Sequence, residues 1–245
     1  MREDAPATGW ITQTPIAHRG YHDLNHRIWE NTSSAFARAI EAGFAIECDL
    51  QLAGDGVPVV FHDYETERLC GVEGTVRHVA SDTMSRLAVG GTADHVQTLA
   101  AMLEQVRGQV GLVIELKAPH EQDITIYADA VLADLRGYAG KACLMSFNAN
   151  LVAALLERDC PWPVGLVAAE YNDAERQKNI EAQDLPVDFL SFCVDHLPSR
   201  FAFDMRTRGL PVITWTVRDA AGRKATAQFA DQMTFEGFDP RLLSA

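Results

Sequence analysis

The run Phe44-Ala45-Ile46-Glu47-Cys48-Asp49-Leu50, continued by Gln51-Leu52-Ala53-Gly54-Asp55-Gly56 and then Val57-Pro58-Val59-Val60-Phe61-His62, decides how this chain folds. Both ends of it are β-rich apolar runs, the first interrupted only by Glu47 and Asp49. A few residues centred on Gly54-Asp55-Gly56 separate them, whereas a parallel crossover needs roughly a dozen or more. The two runs therefore form an antiparallel hairpin. Pairing around Asp55 sets His62 roughly opposite Cys48, give or take one or two residues, and so beside Glu47 and Asp49. Alternate strand residues share a face, so the two carboxylates point the same way. On an otherwise apolar strand they repel unless a cation lies between them. A solvated strand end with two harmless acids is the competing reading, and taken alone the pair does not choose.

Outward from the hairpin, β-rich runs recur at 14–18, 44–50, 111–117, 142–147, 163–169, 188–194, 211–216 and 232–235. Segments with helical spacing lie between most of them. Ala35, Phe36, Ala39 and Ile40 share one face, with Asn31 or Thr32 as N-cap and Gly43 just past the end. Leu99, Met102, Leu103 and Val106 precede Gly108; Tyr127, Val131 and Leu135 precede Gly137; Leu151 and Leu155 follow Asn148. Further helices are expected around 173–183 and 199–208. Eight strands alternating with helices predict an α/β fold, a closed (β/α)8 barrel of one domain over 1–245. Residues from about 63 to 97 carry little periodicity and read as a small insertion after the second-strand hairpin. In such a barrel it sits at the mouth formed by the carboxyl ends of the strands.

Composition bounds the partners. The chain has 245 residues, 47% of them hydrophobic, with 21 basic against 34 acidic side chains and a net charge of -13. A core of ordinary size is available, and global disorder is excluded. The acidic balance argues against nucleic acid or an anionic membrane as bulk partner, so an anionic substrate needs a local positive site. Five cysteines, Cys48, Cys70, Cys143, Cys160 and Cys193, form no C-x-x-C pair and read as a reduced set. No apolar run approaches the ~20 residues of a membrane span, and 1–14 lacks a signal-peptide pattern. A soluble, cytoplasmic protein without stable membrane association is expected.

Other polar residues join the acidic pair. Glu115-Leu116-Lys117 places an acid and a base on one face at the end of the third barrel strand. Two same-face charged pairs on successive barrel strands would point into one mouth, which weakens the reading of each as a plain surface ion pair. His18-Arg19-Gly20 closes the first strand, with Gly20 permitting a sharp exit. His22 and His26 continue an i, i+4, i+8 series from His18, but Gly20 and the lack of an apolar face make this stretch a loop. Both are expected to be exposed and structural, and His78, His95, His120 and His196 have no partner pattern. Glycine-rich phosphate loops and a G-x-S-x-G elbow are absent.

In order along the chain, His18-Arg19-Gly20, Glu30-Asn31-Thr32 with Ala35-Phe36, Glu47-x-Asp49, Asp55-Gly56 and Val59-Val60-Phe61-His62-Asp63 closely resemble the glycerophosphodiester phosphodiesterase family. Glu115-Leu116-Lys117, Ser146-Phe147-Asn148 and the run from Gly209 through Trp215 to Val217 resemble its later motifs. The resemblance implies a (β/α)8 TIM barrel with a small insertion. It further implies that Glu47, Asp49 and Glu115 hold a divalent cation and that His18 and His62 are the catalytic acid–base pair. Arg19 and Lys117 would contact phosphate, Trp215 would wall the substrate pocket, and Glu30 would support binding by holding His18 or Arg19. Phe235-Glu236 stand where the family carries Thr-Asp before its last proline, so the resemblance gives the eighth strand no role.

Charge counting asks for the cation independently. Three carboxylates with Arg19 and Lys117 leave a site of net -1, which repels a phosphodiester monoanion; a divalent ion makes it +1. An all-carboxylate set favours a hard ion, Mg²⁺ or Ca²⁺. The expected reaction is hydrolysis of a glycerophosphodiester, a small-molecule substrate, to glycerol 3-phosphate and an alcohol such as choline or ethanolamine. Water, or a neighbouring glycerol hydroxyl by way of a cyclic phosphate, serves as nucleophile. A phospholipase D-type enzyme on lysophospholipids or sphingolipids would want an apolar mouth, and 63–97 is mostly polar. A barrel that binds phosphodiesters without turnover would not need both histidines.

Overall fold

A computed structural model of the protein describes residues 6–118, 123–158 and 160–242. The strands are β1 (Ile16–Ala17), β2 (Ala45–Leu52), β3 (Pro58–Val60), β4 (Leu112–Leu116), β5 (Ala142–Ser146), β6 (Val164–Ala168), β7 (Phe189–Cys193), β8 (Val212–Val217) and β9 (Gln232–Phe235). Eight of them, all but β3, run parallel in a ring that β1 closes by pairing with both β2 and β9. The closed (β/α)8 TIM barrel expected from the eight-strand rhythm is what the chain forms. β3 hangs outside the ring, antiparallel to β2, with Leu50 opposite Val60 and Leu52 opposite Pro58. Continued by two residues, that register sets His62 opposite Cys48, as the hairpin reading requires.

Helices α1 (Ser33–Ala42), α4 (Leu99–Val106), α5 (Ile124–Leu135), α6 (Ala149–Glu157), α7 (Asp173–Ala182), α8 (Arg200–Thr207) and α9 (Ala220–Phe229) link successive barrel strands. The Thr32 side chain caps α1 by accepting from the Ala35 backbone, and Gly43 ends it in the left-handed region. Outward strand residues Ile46, Cys48, Leu50, Leu112 and Ile114 pack with Phe36, Leu103 and Val131 of the helices. Inward residues Ile16, Ala45, Val113, Cys143, Met145, Val167, Phe189 and Ile213 fill the barrel axis.

The same inward parity places Glu47, Asp49 and Glu115 on the axis, one or two steps nearer the mouth. Residues 63–97 form short helices α2 (Glu67–Cys70) and α3 (Ser81–Met84) around their own apolar cluster. Leu69, Val76, Met84, Val89 and Val96 pack there on Val59 and Phe61 of the hairpin. Among the described residues no helix is long and apolar enough to cross a membrane, and no disulfide joins Cys48, Cys70, Cys143, Cys160 and Cys193.

Candidate active site

A cavity of about 230 Å³ opens at the carboxyl ends of the strands, lined by His18, Arg19, Glu47, His62, Glu115, Lys117 and Trp215 among others. Sheet register explains the gathering. Asp49 sits beside Glu115 across β2 and β4, and with Glu47 they offer oxygen atoms all within 4.8 Å of one another. All three are buried.

Their charges are met unequally. Lys117 Nζ lies 2.5 Å from Glu115 Oε1 and 3.0 Å from Asp49 Oδ1, and Arg19 Nε is 3.2 Å from Asp49 Oδ2. Burial alone would raise the Asp49 carboxyl, but Lys117 and Arg19 hold it far below the usual range. Glu115 remains raised, because burial outweighs Lys117. Glu47 accepts a hydrogen bond from the Arg19 backbone N–H at 2.9 Å, and His18 Nε2 lies 3.9 Å from it. Burial, then Asp49 and Glu115, push Glu47 well above 4.5. A buried carboxyl facing a cavity, repelled by two others and lacking a Lys or Arg partner among the described ion pairs, fits a cation ligand. The donor set is all oxygen, so the residues present suit a hard divalent ion.

Both histidines are oriented by carboxylates. His18 Nδ1 is 2.5 Å from Glu236 Oε2; His62 Nδ1 is 2.7 Å from Asp63 Oδ1. With Nδ1–H donating, each ring keeps its Nε2 lone pair for chemistry, the tautomer being fixed by the hydrogen-bond network. Burial lowers His18 while Glu236 opposes the shift. Glu236 also accepts from Arg218 Nε at 2.6 Å.

The two basic side chains of the site are held by carboxylates. Lys117 is engaged by two carboxylates, and Arg19 Nη1 is held by Glu30 Oε1 at 2.6 Å. Arg19 adopts φ 54° and Asn31 φ 56°, left-handed values that non-glycine residues seldom take. Asn31 donates to Asp49 Oδ2 at 2.9 Å, tying this loop to the acidic cluster. Glu30, expected to support binding by holding His18 or Arg19, is buried and is not among the residues lining the cavity. Of the two alternatives given for it, it holds Arg19. Arg68 of the insertion bridges Glu30, at 2.9 and 3.1 Å, to Asp63, at 2.5 and 2.7 Å. The insertion thereby braces the His62 partner. Trp215 walls the cavity, its Nε1 donating to the Ser191 carbonyl at 3.2 Å and its ring edge-on to Phe147 at 5.4 Å.

One sequence expectation fails here. His22 is not exposed: it is 5% accessible, with Nε2 3.8 Å from Glu236 Oε2, because the loop after β1 folds back over α1 instead of running out to solvent. His26 is exposed as expected, and His120 lies outside the described residues. Glu236, assigned no role, is the direct partner of His18. Its signal was register: β1 pairs with β9 through Ile16 and Thr234, so two residues further on His18 meets Glu236.

An oxygen-only cluster, two carboxylate-oriented imidazoles and two basic side chains thus meet at the mouth of a parallel (β/α)8 barrel. The sequence model of the glycerophosphoryl diester phosphodiesterase family matches residues 18–238, and the chain belongs to that family. A curated glycerophosphodiester phosphodiesterase of Caldanaerobacter subterraneus subsp. tengcongensis is 35% identical over 111 residues. That match covers 42% of this chain and 44% of the relative, less than half of either. The fold resembles an Oleispira antarctica phosphodiesterase solved with the product sn-glycerol-3-phosphate, with TM-score 0.78 and 22% identity over 93% of this chain and 94% of that one. It also resembles a Thermotoga maritima glycerophosphodiester phosphodiesterase, with TM-score 0.73 and 24% identity over 91% and 94%.

Proposed function

We propose that this protein hydrolyses glycerophosphodiesters to glycerol 3-phosphate and an alcohol, with Mg²⁺ or Ca²⁺ held by Glu47, Asp49 and Glu115. The observation that carries the reading is the pairing of His18 with Glu236 and of His62 with Asp63 around one cavity that also holds the three acids. When bound, the cation polarises the phosphoryl oxygens and offsets the charge that builds in an in-line displacement. Arg19, fixed by Glu30, supplies a directional donor to the phosphate, and Lys117 adds a second positive charge at the same wall.

His18 and His62 present the same tautomer, so either Nε2 can take the nucleophile's proton while the other ring, protonated, delivers one to the departing alkoxide. The carboxylate behind each ring stabilises its imidazolium form. Trp215 and Phe147, packed edge-on, give the cavity an apolar wall. Purified protein assayed on glycerophosphocholine and lysophosphatidylcholine, with chelator and with Mg²⁺ or Ca²⁺ restored, tests this. Turnover of glycerophosphocholine that chelator abolishes and the ion restores is expected. Full activity in excess chelator would remove the cation, and preference for the lysolipid would move the substrate class.

A further inference from the structure

The cavity has a charged half, from β1 to β4, and a half from β5 to β9 whose strand residues Met145, Val167 and Trp215 present carbon, while Phe147, Tyr171, Asp195 and Arg218 line it from beyond the strand ends. Two buried hydroxyls belong to strand residues of this half. Ser191 and Thr234 line the cavity, their hydroxyl oxygens are buried, and neither oxygen has a hydrogen-bond partner among the described residues. The residues are 0% and 1% exposed. Buried hydroxyls are nearly always paired, and leaving one unpaired is unfavourable. The other buried site atoms without a hydrogen bond, Arg19 Nε and Asp49 Oδ1, at least face opposite charges at 3.2 and 3.0 Å. Ser191 and Thr234 have no such compensation.

Nor does local structure demand a hydroxyl at either place. Ser191 holds Trp215 through its backbone carbonyl, not its side chain. Thr234 pairs with Ile16 through the β1–β9 ladder. Alanine and valine would serve those backbone roles equally well.

We infer that Ser191 and Thr234 recognise the hydroxyls of the glycerol unit, which enters the carbon-lined half of the cavity while the phosphate stays against Arg19 and Lys117. The inference rests on the proposed hydrolysis of glycerophosphodiesters and adds which end of the substrate goes inward. A glycerol unit carries two hydroxyls that would otherwise be stranded against carbon. Each protein hydroxyl can both donate and accept, so it suits a partner of the same kind. A site built to pair a substrate hydroxyl rejects the analogue that lacks it, because both groups are then left unpaired.

The test uses metal-loaded protein, glycerophosphocholine, and a propylphosphocholine in which propyl replaces glyceryl. The parent enzyme is expected to favour glycerophosphocholine in kcat/KM by about 10- to 100-fold. In Ser191→Ala and Thr234→Val that preference falls by about 10-fold each, and in the double variant it approaches unity. Without substrate, both variants melt at the parent temperature or above, since each removes an unpaired buried hydroxyl. A preference unchanged by both substitutions overturns the inference. So does a lowered melting temperature in both, which would make the hydroxyls structural. Absence of turnover of either diester defeats the proposed function and this inference with it, whereas turnover without discrimination defeats the inference alone.

Discussion

Glu47→Gln should stabilise the metal-free protein, by an amount that grows with pH. At the 4.8 Å limit of the acidic cluster, a like-charge contact costs ~3.5 kcal/mol at an effective dielectric of about 20. Glu47 has two such neighbours, Asp49 and Glu115, and its cost is capped because the carboxyl can take up a proton instead. From its ordinary value of 4.5, remaining protonated at pH 7 costs about 3.4 kcal/mol, at ~1.36 kcal/mol per unit. The sign follows from the raised value: the folded state binds the proton more tightly than the unfolded one. Its contribution is therefore fully present below 4.5 and is lost as pH rises through the raised folded value. Glutamine keeps an acceptor for the Arg19 backbone and removes the charge. In chelator, the variant should gain about 1–3 kcal/mol at pH 7 and close to nothing near pH 4.5. At about 2–4 °C per kcal/mol for a chain of this length, the pH 7 gain is roughly 2–12 °C. Differential scanning calorimetry from pH 4.5 to 8 reads it directly. With saturating Mg²⁺ or Ca²⁺ the order should reverse, because the variant binds the ion more weakly. A gain that is absent at pH 7, or equal at all pH values, would refute the reasoning about mutual repulsion.

Glu236→Gln should lower kcat by about 10²–10⁴-fold with a smaller change in KM, since it frees the His18 ring to take the wrong tautomer; a change confined to KM would show that Glu236 does not orient the ring. His18→Ala and His62→Ala should differ in leaving-group dependence. The variant that loses the general acid drops roughly 10²–10⁴-fold on glycerophosphocholine but much less on a nitrophenyl diester, and equal losses on both substrates in both variants would end the acid–base scheme. Burial would raise the Glu30 carboxyl, but Arg68, Arg19 and Asn25 hold it at about 2. Its stabilising contribution is present above 4.5 and lost as pH falls towards 2, so Arg68→Met should move the midpoint of acid unfolding to higher pH, measured by circular dichroism. An unmoved midpoint would mean that Arg19 alone keeps Glu30 ionised.

The barrel was legible because each strand and helix carries its own short-range pattern, and the hairpin because its turn is too short for a crossover. The acidic cluster followed from parity along β2 and β4. Glu236 was not legible by motif, being 218 positions from His18 in sequence, with a contact created only when β9 closes on β1. Its register could have been counted once closure was assumed. His22 escaped because its burial comes from a loop, which has no period. The helix Ala220–Phe229 was unnamed because Ala, Lys and Gln give it a faint apolar stripe, with Thr226 its one buried residue. The insertion's cluster was hidden for a different reason: four-residue helices are too short to show periodicity, although their apolar residues still converge.

The position of β3 outside the ring has a dynamic consequence. His18 stands on an element paired on both sides within the closed barrel, whereas His62 follows a three-residue strand attached to β2 along one edge. Its other attachments include the Val59–Thr98 bridge, the Val60 N–H to Gln97 carbonyl bond of 2.8 Å, the Gln51 Nε2 donation to the His62 carbonyl at 2.9 Å, the Arg68 contacts with Asp63, and the insertion's small apolar cluster. Opening of this appendage needs far less than global unfolding, so the two imidazoles belong to units of different local stability. Amide hydrogen exchange at Val60 and Phe61 should then report separation of the pair while the barrel amides stay protected. Temperature would disable the site by detaching one histidine before the scaffold melts.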